Sequence, residues 1–213
     1  MANRKEIRSE ETKKAILSAA GTLFAAKGYE AVTMREIAKQ ANCSHTTIYI
    51  YFQDKESLLH ELSMPPLRQL QQQMIDITNH PVLTPYQKLS KVSQEIIRFC
   101  LTHRSMYSIF FAAKAARVDE EDPELEINQL RNSLFRLLGE SLQHCLKITG
   151  NDERMLAYSR IYFYTLQGII GTYAISEEPL KELFERVGPT FELAVQVLVA
   201  GFETLINERM NEQ

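Results

Sequence analysis

An all-α fold is predicted for this 213-residue chain by three observations. Apolar residues recur every three to four positions in long runs. The seven prolines and eight glycines are few for the length. No strand-like alternation closed by hairpin turns occurs. With 45% apolar residues the chain is able to bury a full core, as one mid-sized domain or as a small domain attached to a larger one.

The elements, taken in order, select the second arrangement. Ser9-Glu10-Glu11 is read as the start of a first helix. Its Ile16, Ala20, Leu23 and Phe24 share one face, and Gly28 stands where a left-handed cap ends it. Thr33-Met34-Arg35-Glu36 spells a capping box, the Thr33 hydroxyl accepting from the Glu36 backbone while the Glu36 carboxylate reaches back. Ile37, Ala38 and Ala41 of that second helix point inward. Asn42, which tolerates positive φ, makes the next turn, and Ser44 caps a third helix. Asp54 caps a fourth, carrying Leu58, Leu59 and Leu62. Three short helices and a longer one, with a brief turn between the second and third, form a helix-turn-helix layout.

Residues 1–60 are therefore assigned to an N-terminal head and 61–213 to a larger helical body, joined by a connecting helix. Pro65 and Pro66 predict a kink or break there, a joint through which the body would turn the head. Further helices are expected over 67–79, 85–102, 104–116, 124–149, 152–176 and 181–211.

The third helix is the most informative stretch. With each residue advancing about 100° around the axis, Ile48 and Phe52 fall on one buried face. Ile50, Thr46 and Thr47 then lie away from it, with Tyr49 and Tyr51 on the flanks and His45 in the first turn. Two threonines and an isoleucine suit a DNA major groove, where a hydroxyl bonds a base edge and a methyl meets a thymine methyl. Tyr49 and Tyr51 are placed to hold phosphates, although Tyr51 is equally placed to pack on the first helix. Ser44 begins this helix, Thr33 and Arg35 begin the preceding one, and Lys55 begins the following one, all where helix N-termini favour anions. Arg4, Lys5, Arg8, Lys13 and Lys14 form a basic lead-in. The net charge of -3 conceals an asymmetry: residues 1–60 hold nine Lys and Arg against seven Asp and Glu, and the remainder fifteen against twenty. A mildly basic head on an acidic body is the polarity expected if only the head meets phosphate.

Other classes find little support. The three cysteines, Cys43, Cys100 and Cys145, show neither C-x-x-C nor metal-ligand spacing, and are read as reduced thiols of a cytoplasmic protein, Cys43 as an apolar plug in the turn. No signal-like segment and no uninterrupted apolar stretch of spanning length is seen, so no membrane partner is expected. No nucleophile–base pair, metal-ligand cluster or phosphate loop is visible, so neither an enzyme nor a bound cofactor or metal is expected.

In the body, Phe99, His103, Tyr107, Phe110, Phe111, Tyr162, Phe163 and Gln167 are candidate walls of a pocket for a mostly apolar small molecule, or else ordinary core. The stretch Phe191 to Phe202 is apolar on nearly every side of its helix, so it should be covered twice. Val195, Leu198, Val199 and Phe202, with Gly168 and Gly171 of the preceding helix, are the candidate interface of a homodimer.

The ordered series Thr33-Met34-Arg35-Glu36-Ile37-Ala38, Ala41-Asn42-Cys43-Ser44, Ile48-Tyr49-Ile50-Tyr51-Phe52 and Lys55-Glu56-Ser57-Leu58-Leu59 resembles the DNA-binding signature of the tetracycline-repressor (TetR) family. The family usually has glycine where Asn42 and Thr46 stand. The segments FCLTHRSMYSIFF from Phe99 and YTLQG from Tyr164 look like one of its common C-terminal domain types. The resemblance implies a dimeric regulator, most often a repressor, released from a double-stranded DNA operator by a small-molecule effector. Two heads on a twofold axis would make that operator palindromic. The competing expectation is a helical interaction protein that keeps the fold without reading DNA.

Overall fold

The computed structural model describes residues 4–104, 126–149 and 152–210. Among them are eight helices and no strand. They are α1 (Arg4–Lys27), α2 (Met34–Gln40), α3 (His45–Tyr51), α4 (Lys55–Thr78), α5 (Pro85–Thr102), α6 (Glu126–Cys145), α7 (Arg154–Tyr173) and α8 (Leu180–Met210). The expected helix at 104–116, with Tyr107, Phe110 and Phe111, lies outside the described residues beyond Arg104. The chain forms two compact units that divide between Leu67 and Arg68, seven residues past the expected boundary, and Met64 and Leu67 on the first unit's side are buried.

In the first unit α1 begins at Arg4, ahead of the Ser9 start read from the sequence. Glu6 and Arg8 are strong helix formers that carry the helix upstream. Ser9 is not a cap; its hydroxyl lies 3.2 Å from that of Tyr51. Gly28 closes α1 at φ +79°, its N–H on the Phe24 carbonyl at 2.9 Å. Ile16, Ala20 and Phe24 are buried, and so are Ile37 and Ala38 of α2, while Ala41 is half-buried.

The turn into α3 is a Schellman closure. Asn42, at φ 55°, donates to the Lys39 carbonyl at 3.2 Å, and Cys43 to that of Ala38 at 3.0 Å. Asparagine supplies the left-handed residue at modest steric cost.

Of the kink or break expected at Pro65 and Pro66, the break does not occur: α4 runs from Lys55 to Thr78 with both prolines inside it. They remove the ladder donors of the Glu61 and Leu62 carbonyls without ending the helix.

The second unit packs α5 against α6, α7 and α8, with α6 also on α7. Thr84 and Gln87 form the capping box of α5, with Pro85 in the first turn. At Gly139 of α6 an added Cβ would stand 3.0 Å from the Ser159 hydroxyl, so glycine permits the close crossing with α7. Tyr162 is fully buried and its hydroxyl meets that of Ser93 at 2.7 Å. Tyr158 and Phe202, 4.7 Å between ring centroids, tie α7 to α8. The stretch Leu180–Glu208 is long and apolar enough to cross a membrane by length and composition alone. Leu183, Val187, Phe191, Val195, Val199 and Phe202 recur along it at helical spacing and are buried against the unit's own core.

Candidate nucleic-acid interface

A seven-residue helix is too short to persist alone, so α3 depends on what holds it. Ile48 and Phe52 are 0% and 2% exposed, each burial contributing about 1.5–3 kcal/mol. Ser44 caps the helix, accepting from the Thr47 N–H at 2.9 Å. Tyr51 is half-buried and meets Ser9 of α1. The geometry that follows is an outward face of His45, Thr46, Tyr49 and Ile50, with Ile50 76% and Tyr49 47% exposed. His45 and Tyr49 stack edge to face at 5.1 Å, fixing the Tyr49 ring.

Three of the residues singled out for DNA prove to be engaged elsewhere. The Lys55 ammonium donates to the carbonyls of Tyr29 at 2.8 Å and Val32 at 3.0 Å, and lies 4.2 Å from the Tyr29 ring centroid. It closes the α1–α2 loop as a structural clamp. The Tyr51 hydroxyl is turned to α1 rather than outward. Thr47 is half-buried and its hydroxyl is 2.7 Å from Ser44 Oγ.

On α2 the capping box is complete. Glu36 N–H donates to Thr33 Oγ1 at 3.3 Å and Glu36 Oε2 accepts from Thr33 N–H at 2.9 Å. Glu36 Oε1 also accepts from Lys27 at 2.9 Å. The Lys27 hydrogen bond, with those from Thr33, lowers the Glu36 carboxyl from 4.5 to about 2. The acid thereby stays ionised and paired with Lys27, and Arg35 is exposed with no ion pair among the described residues. Lys39, one turn on and also exposed, is a cation the sequence reading passed over. Its i+4 spacing from Arg35 was the available signal.

Arg35, Lys39 and His45 line an open depression of about 450 Å³ with Thr33, Glu36, Ala38 and Cys43. Cys43 is half-buried there rather than a core plug, and burial raises its thiol pKa. Cys100 and Cys145 are buried, with thiols pushed up to about 12 and about 11. In the lead-in, Lys13 pairs with Glu61, Arg8 and Lys14 are exposed, and the side chains of Arg4 and Lys5 lie outside the described residues.

Of the body residues named from sequence, Phe99 and Tyr162 are buried, while His103, Phe163 and Gln167 are half-buried on α5 or α7. His103 stacks on Phe99 with centroids 4.5 Å apart. On α8 the candidate interface residues fall on the inner face. Val195, Val199 and Phe202 are 3%, 6% and 5% exposed, so they are spent on the protomer's own core, and Leu198 is half-buried. The uncovered apolar positions are Leu193, Val197 and Leu205, at 56%, 62% and 51% exposure. On α7 Gly168 is exposed and Gly171 half-buried, between the exposed Ile161, Tyr164 and Ile175.

A capped short helix presented on a three-helix head, with exposed cations on the helix before it, is a helix-turn-helix module carried by an all-helical body. That is the build of a DNA-binding transcriptional regulator. A family profile described as "Bacterial regulatory proteins, tetR family" matches residues 16–62. The HTH-type transcriptional regulator YhgD of Bacillus subtilis is 35% identical over 159 residues, 73% of this chain and 82% of that one. The HTH-type transcriptional repressor KstR of Mycolicibacterium smegmatis is 31% identical over 132 residues, covering 59% of this chain and 61% of its own. The fold matches that of the transcriptional regulator FadR from Bacillus subtilis, solved with stearoyl-CoA, at TM-score 0.61 and 23% identity over 88% of this chain and 98% of that one. The chain belongs to the TetR family of transcriptional regulators. Its relatives are regulators, not enzymes.

Proposed function

We propose that this protein is a homodimeric repressor that reads a palindromic operator through α3 and leaves it when a small, mostly apolar organic effector enters the body. The observation that carries the DNA reading is the split of α3 into a buried side, Ile48 and Phe52, and an uncovered side led by Ile50, 76% exposed. An isoleucine held out of a well-packed head among threonine, tyrosine and histidine is poorly matched to water. It suits a thymine methyl in a major groove. Thr46 and Tyr49 join it at the bases, Ser44 and His45 lie at the entry to the helix, and Thr33, Arg35 and Lys39 flank it on the phosphate side.

The dimer reading is supported by the second apolar side of α8. Leu193, Val197 and Leu205 repeat one and two turns apart, and an added Cβ at Gly201 or Gly168 would meet nothing within 4 Å. Surface glycines with open space above them allow a second helix to approach closely. The repressor and effector readings draw on KstR being a repressor and on FadR having been solved with a long-chain acyl thioester. Phe99, Tyr162, Phe163, Gln167 and His103 remain the proposed pocket walls.

Selection from random duplexes with the purified full-length protein tests this. Enriched sequences should be inverted repeats with half-sites a whole number of helical turns apart. A pool that enriches nothing would leave the protein as a helical interaction module of the same fold.

A further inference from the structure

Arg131 of α6 is only 8% exposed, yet no carboxylate among the described residues pairs with it. Its Nη1 donates to the Asn128 side-chain oxygen at 3.2 Å, a neutral partner one turn earlier. Asn128 and Asn132 are themselves 7% and 8% exposed. The three lie at i, i+3 and i+4, so α6 turns one polar patch inward beside the equally buried Ile127, Leu130 and Phe135.

Buried arginines are almost always paired, because a desolvated cation with no opposite charge is costly. Burial lowers the Arg131 pKa from its ordinary value, but a guanidinium keeps its proton in proteins. Arg131 is therefore a fixed positive charge whose side-chain partner among the described residues is the neutral Asn128 amide. Its surroundings are those proposed for the effector. Both α5 and α7 pack on α6, and Phe163 of α7 stands edge-on to Phe135, one turn from Arg131, at 5.4 Å.

We propose that Arg131 is the anion-binding residue of the effector site, and that the effector joins an apolar body to a carboxylate or phosphate group which Arg131 holds while Asn128 orients the guanidinium. Planar donors in a fixed fork match either group in two-point fashion. The proposal rests on the ligand-responsive reading for the word effector alone; the pairing of Arg131 with an anion is tested without DNA.

Calorimetric titration of the full-length protein with decanoate, decanoyl-CoA and 1-decanol supplies the test. At least one anionic probe should bind about 10- to 100-fold more tightly than the neutral alcohol, the range set by a charge-assisted hydrogen bond. Decanoate preference assigns a carboxylate, and decanoyl-CoA preference a phosphate. Arg131→Met should reduce the preference to within a few-fold, and Arg131→Lys should keep part of it. The ligand-free melting temperature of the Met variant should be unchanged or higher, since an unpaired buried charge has gone. Equal affinity for all three probes, binding of none, or a Met variant that keeps the anion preference overturns the proposal. So does a Met variant that loses several degrees of stability while binding of acid and alcohol falls equally, because Arg131 is then structural. Because operator release is not the readout, failure of effector-controlled DNA binding and failure of this pairing are separately visible.

Discussion

Helices α3 and α8 both leave isoleucine, valine or leucine in water, and the contrast between them shows how to read exposed apolar surface. On α3 the exposed Ile50 is solitary, set among Thr46, Tyr49 and His45 on seven residues. On α8 the exposed residues repeat as Leu193, Val197 and Leu205 along a helix of thirty-one. A single methyl-bearing side chain among hydroxyls fits a mixed surface such as a base-pair edge. A repeating apolar stripe fits another stripe of its own kind. The two helices also differ in what secures them: α3 rests on two buried side chains and a cap, α8 on a continuous row from Leu183 to Phe202.

The largest expected effect breaks the α8 side of the comparison. Val197→Asp should convert the protein to monomers in light scattering and cut operator affinity by more than about 100-fold, since each monomer loses half of the contacts. A dimer that survives the change would place the interface elsewhere.

Next comes the α3 side. Ile48→Ala should destabilise the head by about 2–5 kcal/mol in denaturant unfolding, whereas Ile50→Ala should change stability by no more than about 0.5 kcal/mol. Ile50→Ala should instead weaken operator discrimination by about 1–3 kcal/mol. If Ile50→Ala unfolds the head, the outward face is misread.

Lys55→Met should cost about 1.5–3 kcal/mol of head stability, because two loop carbonyls lose a charged donor. It should leave the salt dependence of DNA binding intact, while Arg35→Gln should lower that slope by about 1. The reverse pattern would return Lys55 to the phosphates.

The smallest effect concerns α2. Thr33→Ala should cost about 1 kcal/mol through loss of the cap. The Glu36 carboxyl sits at about 2 in the folded head against an ordinary 4.5. Its contribution is therefore complete above the ordinary value and is lost as pH falls from there towards about 2. Acid titration of Glu36→Gln should show a shallower loss of stability through that range.

What the sequence revealed was mostly local. Gly28, the Thr33–Glu36 box, Asn42, Ser44 and Asp54 are each recognised within four residues, and each takes its expected place. Lys55 and Tyr51 also carry contacts that a local reading misses, because their partners lie 26 and 42 residues away, and a free cation at a helix start has the same sequence signature as a clamp. On α8 both faces are apolar, so periodicity located the helix but left open which of Val195 and Val197 turns inward. Pro65 and Pro66 lie inside a continuous α4, since proline removes a ladder bond without always ending a helix.

The central claim is that α3 reads DNA. Its most direct test is the affinity of the full-length protein for its selected duplex and for a scrambled one, measured against salt by fluorescence anisotropy, with wild type and Ile50→Ala side by side. A negative log–log slope is expected for both proteins, with a preference for the selected duplex that the wild type shows and Ile50→Ala loses in large part. Salt-insensitive binding, or a preference unchanged by removing Ile50, would contradict it.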